Sequence, residues 1–501
     1  MKNNPIDILL GGFRMAVNGF DLSYNKEAVF ALFIILIQIQ MIRNIAYTFI
    51  VILGFVTVGC IEDGISTSTS DVPSFSVDTV KIGTVYTDEL SPTHRFVVYN
   101  RGSKGISISH ISMAGEDASR FRLNVDGFSG TEFRDVEIRA KDSIYMFIDV
   151  TLPENGSDKP KKVEAKLEFL TNGVSQTLPV SVYGQDVTRI SDMIVTGAQT
   201  LTPGKPYRVM DSVVVAEGTT LTLQGGTRML MHDKARLVVR GTLKSEGDAQ
   251  NHVVITGDRV GEVIPDVSFD IMSRQWGGVE IYPTSKDNVL RYTEISNTTD
   301  GVQIAGDGSA TTADPMLTMI NCRLRNSGSM ALMAQDAAIV AYGCELADAA
   351  DGIVYVSGGD YRFDRCTVSN QYLFAVITQA AWQIDKETPT KIDVTNSITW
   401  GIGSDVAPGD LKGMDAYFRR CMFKSKGEDD DNFVNCMWDA DPLFYTVRED
   451  YVFDYRLRPD SPAIGAADEA FDLRLAPTDW YGVSSTVPAD LGAYNFTEAV
   501  Q

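Results

Sequence analysis

Hydrophobic and polar residues alternate with a period of two along most of this chain, in short runs that end at turn residues. Between residues 74 and 187 such runs include KIGTVYT, HRFVVYN and SIYMFIDVTL, and the pairs Asn155-Gly156 and Asn172-Gly173 suit tight hairpin turns. Roughly seven strands fit into this stretch, which predicts an antiparallel β-sandwich. We expect this domain to serve as a spacer.

A repeat of 22 residues dominates the middle of the chain. Cys322, Cys344 and Cys366 stand second in the segments NCRLRNSGSMALM, GCELADAADGIVYV and RCTVSNQYLFAVI. Aligning these segments stacks three sets of residues: Leu324, Leu346 and Val368; Leu332, Val354 and Val376; and, on a polar turn, Asn326, Asp348 and Asn370. Such a period predicts a solenoid, in which each coil buries its apolar row by stacking on its neighbours. The cysteines should then be thiols in a core row.

Segments of the same character, such as VVVAEGTTLTLQGG and HVVITGD, extend this pattern over residues 190–440. The coils resemble the right-handed parallel β-helix repeat proteins, and the sandwich resembles immunoglobulin-like domains. The resemblance implies an all-β fold but no single activity, because lyases, hydrolases, adhesins and inert stalks share the β-helix. Residues 441–501, with DADPLF and FDYRLRPDSPAIGAA, resemble the closing segment of bacterial surface β-helix proteins. We expect them to cap the open last coil.

The N-terminal part of the chain has the order of a secretory signal. Residues 41–60 read MIRNIAYTFIVILGFVTVGC, in which one positive charge precedes an apolar run that closes on small residues. The final TVGC resembles a bacterial lipobox, which implies that Cys60 is diacylated and begins the mature protein. Met41 is then the expected initiator, and residues 1–40 are an upstream extension. The alternative is an uncleaved membrane anchor, because residues 28–59 are apolar for longer than the roughly 20 residues that a span needs.

Residues 61–73 form a polar linker, in which Glu62 and Asp63 lie directly behind the cysteine. Acidic residues at this place resemble the surface-export signal of lipoproteins from the Bacteroides group. The resemblance implies a protein of the outer membrane that is displayed on the cell surface and held there by its lipid.

Charge and histidine content narrow the range of partners. The formal net charge is −22, and such a field repels nucleic acid and polyanionic glycans. A nucleic-acid partner is therefore not expected. No histidine follows His252, so we expect no metal site built on histidine and cysteine in the coils.

The sequence lacks the catalytic strings of known β-helix enzymes. Polygalacturonase-type hydrolases of this fold use an Asn-Thr-Asp string and a Gly-His-Gly loop, and neither occurs here. Pectate-lyase-type enzymes need carboxylates for Ca²⁺ beside a basic residue that takes a proton from the sugar. The candidates for that chemistry are Asp348 and Asp351, with Arg362 or Arg365 one coil edge away. Asp348 equally suits a rung of the polar turn ladder, and Asp351 a plain turn.

Extra residues relative to the 22-residue coil fall in three places, 305–316, 383–391 and 403–416. All three follow the second strand of their coil, so the loops should emerge at one corner and stack as a wall, here named the loop wall. The loop wall carries several acids and two nearby tryptophans: Asp307, Asp314, Asp385, Glu387, Asp405, Asp410 and Asp415, with Trp382 and Trp400. Aromatic faces beside carboxylates suit a sugar, with or without Ca²⁺, although Trp400 also suits the core.

Together these features predict a lipid-anchored surface protein whose β-helix is a non-catalytic binding or structural module for glycan or matrix. The membrane, through the lipid, and a polysaccharide are the expected partners, and no cofactor is expected apart from possible Ca²⁺. The alternative is a carbohydrate-active enzyme, with polysaccharide lyase ahead of glycoside hydrolase. Clustered acids and one base that face a common groove would favour the enzyme.

Overall fold

The computed structural model describes residues 34–35, 37–43, 64–264, 267–374, 376–468 and 476–498. Cys60 and most of the predicted signal lie outside these ranges. Within them, no helix has the length and apolar character needed to cross a membrane.

The N-terminal domain is a β-sandwich of two sheets, as predicted from the alternating pattern. Its eleven strands are β1 Ser74–Phe75, β2 Val80–Tyr86, β3 His94–Tyr99, β4 Ile106–Ala114, β5 Phe121–Val125, β6 Phe128–Gly130, β7 Glu132–Phe133, β8 Val136–Ile138, β9 Ser143–Val150, β10 Lys161–Thr171 and β11 Val174–Gln185. One sheet has the order β1-β3-β9-β5-β6, and the other has β2-β11-β10-β4-β7 with β8 beside β4. All pairs are antiparallel except β2 with β11.

The two predicted turns of the sandwich differ in outcome. Asn172 and Gly173 join β10 to β11 with φ of 50° and 79°, the left-handed values that a two-residue hairpin requires. Asn155 and Gly156 instead lie in the longer connection from β9 to β10. Their backbone N–H groups donate to the buried Asp186 carboxylate, at 3.0 Å from Asn155 and 2.8 Å from Gly156, so a distant carboxylate shapes this loop.

From residue 188 the chain winds into a parallel β-helix whose coils each add one strand to three sheets. Sheet 1 contains β12 Thr188–Ile190, β15 Tyr207–Val209, β18 Arg228–Met231, β21 Val253–Gly257, β26 Thr293–Ser296, β29 Arg323–Ser327, β32 Glu345–Ala349, β35 Thr367–Asn370, β38 Ile398–Gly401 and β41 Met422–Phe423. Sheet 2 contains β13 Met193–Val195, β16 Ser212–Val215, β19 Arg236–Val239, β24 Gly278–Ile281, β27 Val302–Ala305, β30 Leu332–Gln335, β33 Val354–Ser357, β36 Trp382–Ile384 and β39 Val406–Ala407. Sheet 3 contains β14 Ala198–Leu201, β17 Thr220–Gln224, β20 Thr242–Glu246, β25 Asn288–Arg291, β28 Leu317–Ile320, β31 Ala338–Tyr342, β34 Asp360–Asp364, β37 Lys391–Thr395, β40 Asp415–Arg419 and β42 Phe433–Val434.

The predicted cysteine row lies in the core of the β-helix. Cys322, Cys344 and Cys366 are free, buried thiols, and the Cys322 backbone N–H lies 3.4 Å from the Cys344 Sγ. Burial raises the pKa of the Cys322 and Cys344 thiols, as expected for groups that lose water. The row Leu324, Leu346 and Val368 is also confirmed by the strand register.

One predicted row is wrong at its last member. Val354 pairs with Trp382, and not with Val376, which is 86% exposed. Residues 371–381 form an insertion at the corner between sheets 1 and 2, and this insertion moves the register by six residues. Trp382 therefore fills the core position, with ring centroids 5.0 Å from Phe363 and 5.8 Å from Phe418.

The C-terminal segment lies along the side of the β-helix, whereas the sequence predicted that it caps the last coil. Aromatic residues of the last coils close the core end themselves, where Trp438 stacks on Phe423 at 4.8 Å. The segment after residue 440 includes β43 Phe444–Val447 and β44 Phe453–Leu457 and packs on the outer face of sheet 1. Outward residues of sheet 1 such as Ala347, Ile398 and Met422 are apolar, so this face needs a cover.

An arginine joins the sandwich to the β-helix. Arg208 of β15 pairs with Glu89 of the sandwich at 2.5 Å and with Asp258 of the β-helix at 2.8 Å, and its guanidinium lies 4.2 Å from the centre of the Tyr86 ring. Tyr86 also donates to the Asp258 backbone carbonyl at 2.5 Å. The two domains thus contact each other directly.

Candidate functional site

The predicted catalytic acid Asp348 is buried beneath the C-terminal segment. Asp348 is the fourth residue of β32 and has a φ of 58°. Its carboxylate accepts from the Tyr455 hydroxyl at 2.8 Å and from the Gln371 backbone N–H at 2.8 Å. Burial raises the pKa of Asp348 to about 6. The side chain therefore holds a polar turn in place, in the manner of the predicted ladder.

The predicted base does not face that acid. Arg365 lies just before the first residue of β35, whereas Asp348 lies near the last residue of β32. The two side chains therefore lie at opposite ends of the parallel strands of sheet 1. The buried Arg365 guanidinium donates to the Ser485 hydroxyl at 2.8 Å and to the Asn495 amide oxygen at 2.5 Å. Asp351 is an exposed turn residue whose backbone carbonyl accepts from the Gln383 amide at 2.7 Å. The structure does not bring the three candidates together.

The loop wall emerges at one corner of the β-helix, as predicted. The connections 306–316, 385–390 and 408–414 all run from sheet 2 to sheet 3, after β27, β36 and β39. Asp360 of β34 links the first loop to the start of β37, since it accepts from the Thr312 hydroxyl at 2.9 Å and lies 3.5 Å from the Lys391 ammonium. The predicted third range also includes residues 403–405, which lie at a different corner, before β39.

Four of the predicted acids accept from backbone N–H groups, and for Asp307, Asp385 and Asp410 this N–H belongs to the same loop as the acid. Asp307 accepts from the Ser309 N–H and hydroxyl, and Asp385 accepts from two hydroxyls and one N–H, which lowers the pKa of both carboxyls. Asp410 accepts from the Lys412 N–H at 2.9 Å. Asp405 is buried and accepts from the Ser425 N–H at 2.8 Å, and burial raises its pKa.

The remaining acids of the loop wall are exposed. Glu387 and Asp415 line one cavity of about 430 Å³, together with Lys386 and Lys391. Asp314 lies apart, at an exposed position of the first loop. Within the described residues, no group of three or more aspartate, glutamate, histidine or cysteine side chains is placed to hold a metal ion. The possible Ca²⁺ stays a prediction.

Neither predicted tryptophan offers a face to a ligand at the loop wall. Trp382 is 0% exposed and donates its indole N–H to the Thr399 hydroxyl at 2.9 Å inside the core. Trp400 lies on sheet 1, half-buried against Phe444 at 5.8 Å. The insertion before β36 explains why the prediction for Trp382 failed. It shifts the register, so that Trp382 stacks on Val354 in the core and does not lie at the base of a loop.

A groove on the outer face of sheet 1 was not predicted. Its floor consists of outward residues of five successive strands, β18, β21, β26, β29 and β32. The insertion between β21 and β24 forms one wall, with the short strands β22 Glu262–Ile264 and β23 Val267–Ser268 and a 3-10 turn at Phe269–Ile271. Residues 451–453 of the C-terminal segment form the other wall, and the groove encloses about 550 Å³. The extra length between β21 and β24 was the only signal for it in the sequence.

Fixed amides hold the insertion against the floor of this groove. The Asn297 side-chain amide donates to the backbone carbonyls of Asp270 and Met272, each at 2.7 Å, and the Asn326 amide donates to the same Asp270 carbonyl at 2.8 Å. Thr256 donates its hydroxyl to the Asn297 amide oxygen at 2.5 Å. The wall is thus tied to the sheet before any ligand arrives.

Two carboxylates in the groove are free to bind. Glu294 and Asp270 line the groove, and among the described residues neither carboxylate has a hydrogen-bond or ion-pair partner. Arg325 differs, since its Nε and its Nη2 both donate to the Glu345 carboxylate, the Nη2 at 2.9 Å. Arg228 also lines the groove, and its guanidinium likewise has no hydrogen-bond or ion-pair partner among the described residues. The free charges of the groove are therefore two carboxylates and one cation.

Comparisons with known proteins give weak likenesses. No family model and no curated protein matches this chain. The catalytic unit of a thermostable GH87 alpha-1,3-glucanase from Streptomyces thermodiastaticus is 10% identical with a TM-score of 0.20, over 69% of this chain and 89% of that one. A family 123 glycoside hydrolase from Clostridium perfringens is 12% identical with a TM-score of 0.18, over 24% of this chain and 26% of that one. A PapD-like domain of human CEP192 is 14% identical with a TM-score of 0.16, over 25% of this chain and 89% of that one. TM-scores this low assign neither a family nor an activity.

Proposed function

We propose that this protein binds a neutral polysaccharide, without cleaving it, in the groove on sheet 1. The observation that carries the proposal is the pair of unpartnered carboxylates, Glu294 and Asp270, in a groove whose wall is already fixed by Asn297 and Asn326. Five strands spaced about 4.8 Å apart make the floor about 20 Å long, which is room for several sugar rings. The volume of about 550 Å³ also suits a ligand of that size.

The chemistry of the groove favours a polyhydroxylated ligand without charge. Carboxylates accept strong, charge-assisted hydrogen bonds from hydroxyl groups, and sugar hydroxyls are numerous donors. Acidic glycans would meet the two free carboxylates and the field of a chain with a net charge of −22. Neutral glycan chains meet neither penalty.

The test is a calorimetric titration of the full chain with neutral glycans that are first selected on a glycan array. Glu294→Gln keeps the shape of the side chain and removes its charge, and it should weaken binding about tenfold, because a hydrogen bond to a charged group is lost. Glu217→Gln is the matched control, since Glu217 is exposed and does not line the groove. Equal affinity of the Glu294→Gln variant and the control would contradict the proposal.

One observation favours an enzyme as the second candidate. Asp348, whose pKa burial raises to about 6, lies at the end of the same groove as Glu294. Two carboxylates in different surroundings suit the acid and base of glycoside hydrolysis. Within this alternative a hydrolase now ranks ahead of a lyase, because Arg365 lies at the opposite end of the strands of sheet 1. A reducing-end assay on the selected glycan decides the matter: turnover that Asp348→Asn removes while binding persists would replace the binding module with an enzyme.

We also propose that the chain is a lipoprotein of the outer membrane, displayed on the cell surface in the manner of Bacteroides-group proteins. The support is the sequence of residues 41–60 and the acids behind Cys60. Cys60→Ser should then move the protein from the detergent phase to the aqueous phase, or leave it at the inner membrane. Unchanged partitioning of that variant would contradict the lipid anchor.

A further inference from the structure

The sandwich domain carries a cavity of its own, on the outer face of the sheet with the order β1-β3-β9-β5-β6. The cavity encloses about 620 Å³ and spans β5, β6 and β9. Phe147 lies on β9, the central strand, between Met146 and Ile148, which are fully buried in the core. Because side chains alternate across a strand, the Phe147 ring faces outward into the cavity.

Polar side chains surround this ring on the neighbouring strand. Asn124 is the direct cross-strand partner of Phe147, and its amide donates to the Ser129 hydroxyl at 3.1 Å. Arg122 is the cross-strand partner of Asp149 and donates to its carboxylate at 2.8 Å. Two threonine hydroxyls complete the rim, from Thr93 and Thr131.

We propose that this cavity binds one or two neutral sugar units of a glycan, so that the sandwich is a binding module in addition to a spacer. A pyranose ring has an apolar C–H face and an edge of hydroxyl groups. An aromatic floor with amide, hydroxyl and paired guanidinium–carboxylate groups at its rim complements both. The Arg122–Asp149 pair leaves the rim with no net charge, which favours a neutral ligand over an acidic one.

An extended polypeptide is the other ligand chemistry that the position admits, because β6 is an edge strand. Strand addition, however, uses the backbone of the edge, whereas Phe147 and Asp149, which also line this cavity, are outward residues of the central strand. The outward position of these side chains on the face of the sheet favours a sugar over an extended peptide. The inference stands independently of the groove on sheet 1.

The experiment titrates the full chain with maltohexaose, cellohexaose and laminarihexaose by calorimetry, in a Glu294→Gln background that weakens binding in the groove about tenfold. At least one hexaose should still bind. Phe147→Ala should then weaken that binding about tenfold or more, because ring stacking and the buried area are both lost. Phe147→Leu keeps apolar bulk without a flat face, and it should bind weakly while it melts as the background protein does.

Tyr183→Ala is the matched control, since Tyr183 is an exposed aromatic residue of β11 on the opposite sheet. It should leave the affinity unchanged. The proposal is overturned if none of the three hexaoses binds, or if Phe147→Leu and Tyr183→Ala bind equally well. It is also overturned if an extended peptide, and no hexaose, protects the cavity residues from exchange. If only the proposal for the groove fails, Glu294→Gln leaves hexaose affinity unchanged while Phe147→Ala still lowers it.

Discussion

The outer face of sheet 1 has an open stretch and a covered stretch, and the two differ in how they treat charge. Glu294, Arg323 and Glu345 occupy one outward column on successive strands. Glu294 lies in the open groove and makes no hydrogen bond or ion pair within the described residues, although its charge acts on the nearby Arg325 guanidinium. Glu345 lies beneath the C-terminal segment, fully buried, and its carboxylate accepts from the Nε and Nη2 of Arg325 and from the Tyr494 hydroxyl.

This difference separates a buried, paired charge from an unpaired charge in an open groove within one column. A carboxylate that folding buries must be paired, because the loss of water would otherwise cost several kcal/mol. A carboxylate that stays in water can remain unpaired, and it is then available to a ligand. The C-terminal segment therefore marks where the site ends: Arg323, beneath its rings, contacts Trp480, Tyr481 and Tyr494 at 4.4 to 5.3 Å.

The largest loss of stability is expected when a charged side chain is placed in the core of the β-helix, beneath the covered stretch of sheet 1. Cys344→Asp places a carboxylate in a thiol row with no cation beside it, and we expect the β-helix to unfold or aggregate. Cys344→Ala removes only a small group and should cost about 1–2 kcal/mol. Circular dichroism and sedimentation measure both. A Cys344→Asp protein that melts normally would mean that this row is solvated.

Breaking a pair in the covered stretch should have the next largest effect. Glu345→Ala leaves the buried Arg323 and the half-buried Arg325 beside an empty position, and the expected loss of unfolding free energy is about 3–5 kcal/mol. Glu294→Ala is the control from the same column, one strand beyond Arg323. Urea unfolding of both variants tests the comparison directly, and equal losses would remove the distinction between the two stretches.

The sequence predicted what is periodic and missed what depends on distant contacts. The stacking of Leu324, Leu346 and Val368 follows from the 22-residue repeat alone. Trp382 was misplaced because an insertion of unknown path interrupts that repeat. The groove was missed for the same reason, since its wall is fixed by the Asn297 amide, which contacts residues more than twenty positions away.

The packing of the C-terminal segment on sheet 1 could also not be predicted from the local sequence pattern. The motifs of residues 441–501 indicated a closing segment, but the surface that receives it becomes visible only when the strand register is known. Outward Ala347, Ile398 and Met422 then form an apolar patch on sheet 1. A one-residue change of register would turn these side chains inward.

The pH dependence of stability should sharpen the comparison further. The pKa of Asp348 rises from an ordinary value of 3.8 to about 6, so the folded state binds more protons than the unfolded state between these values. Stability is therefore lost as the pH rises from about 4 to 6 and stays level above that range. The full cost of ionising the buried carboxyl is on the order of 3 kcal/mol.

Asp348→Asn should remove this pH dependence, because the amide accepts from the Gln371 N–H and carries no charge. We expect the variant to match the parent near pH 4 and to exceed it in stability above pH 6. Thermal melts between pH 4 and 8 measure the difference. Parallel curves for the two proteins would show that Asp348 is ionised at little cost, and thus that water reaches it.

The smallest effect on stability is expected in the open stretch, where it is also the most informative. Glu294→Gln removes a charge that has no partner among the described residues and stays hydrated, so the free energy of unfolding should change by no more than about 0.5 kcal/mol. The same change should weaken glycan binding about tenfold, since a ligand hydroxyl loses its ionised acceptor. If the open stretch is a binding site, Glu294 should affect the affinity for glycan and have little effect on the free energy of unfolding. If Glu294→Gln instead lowers stability by as much as Glu345→Ala, then Glu294 is part of the structural column, and the groove must be redrawn without it.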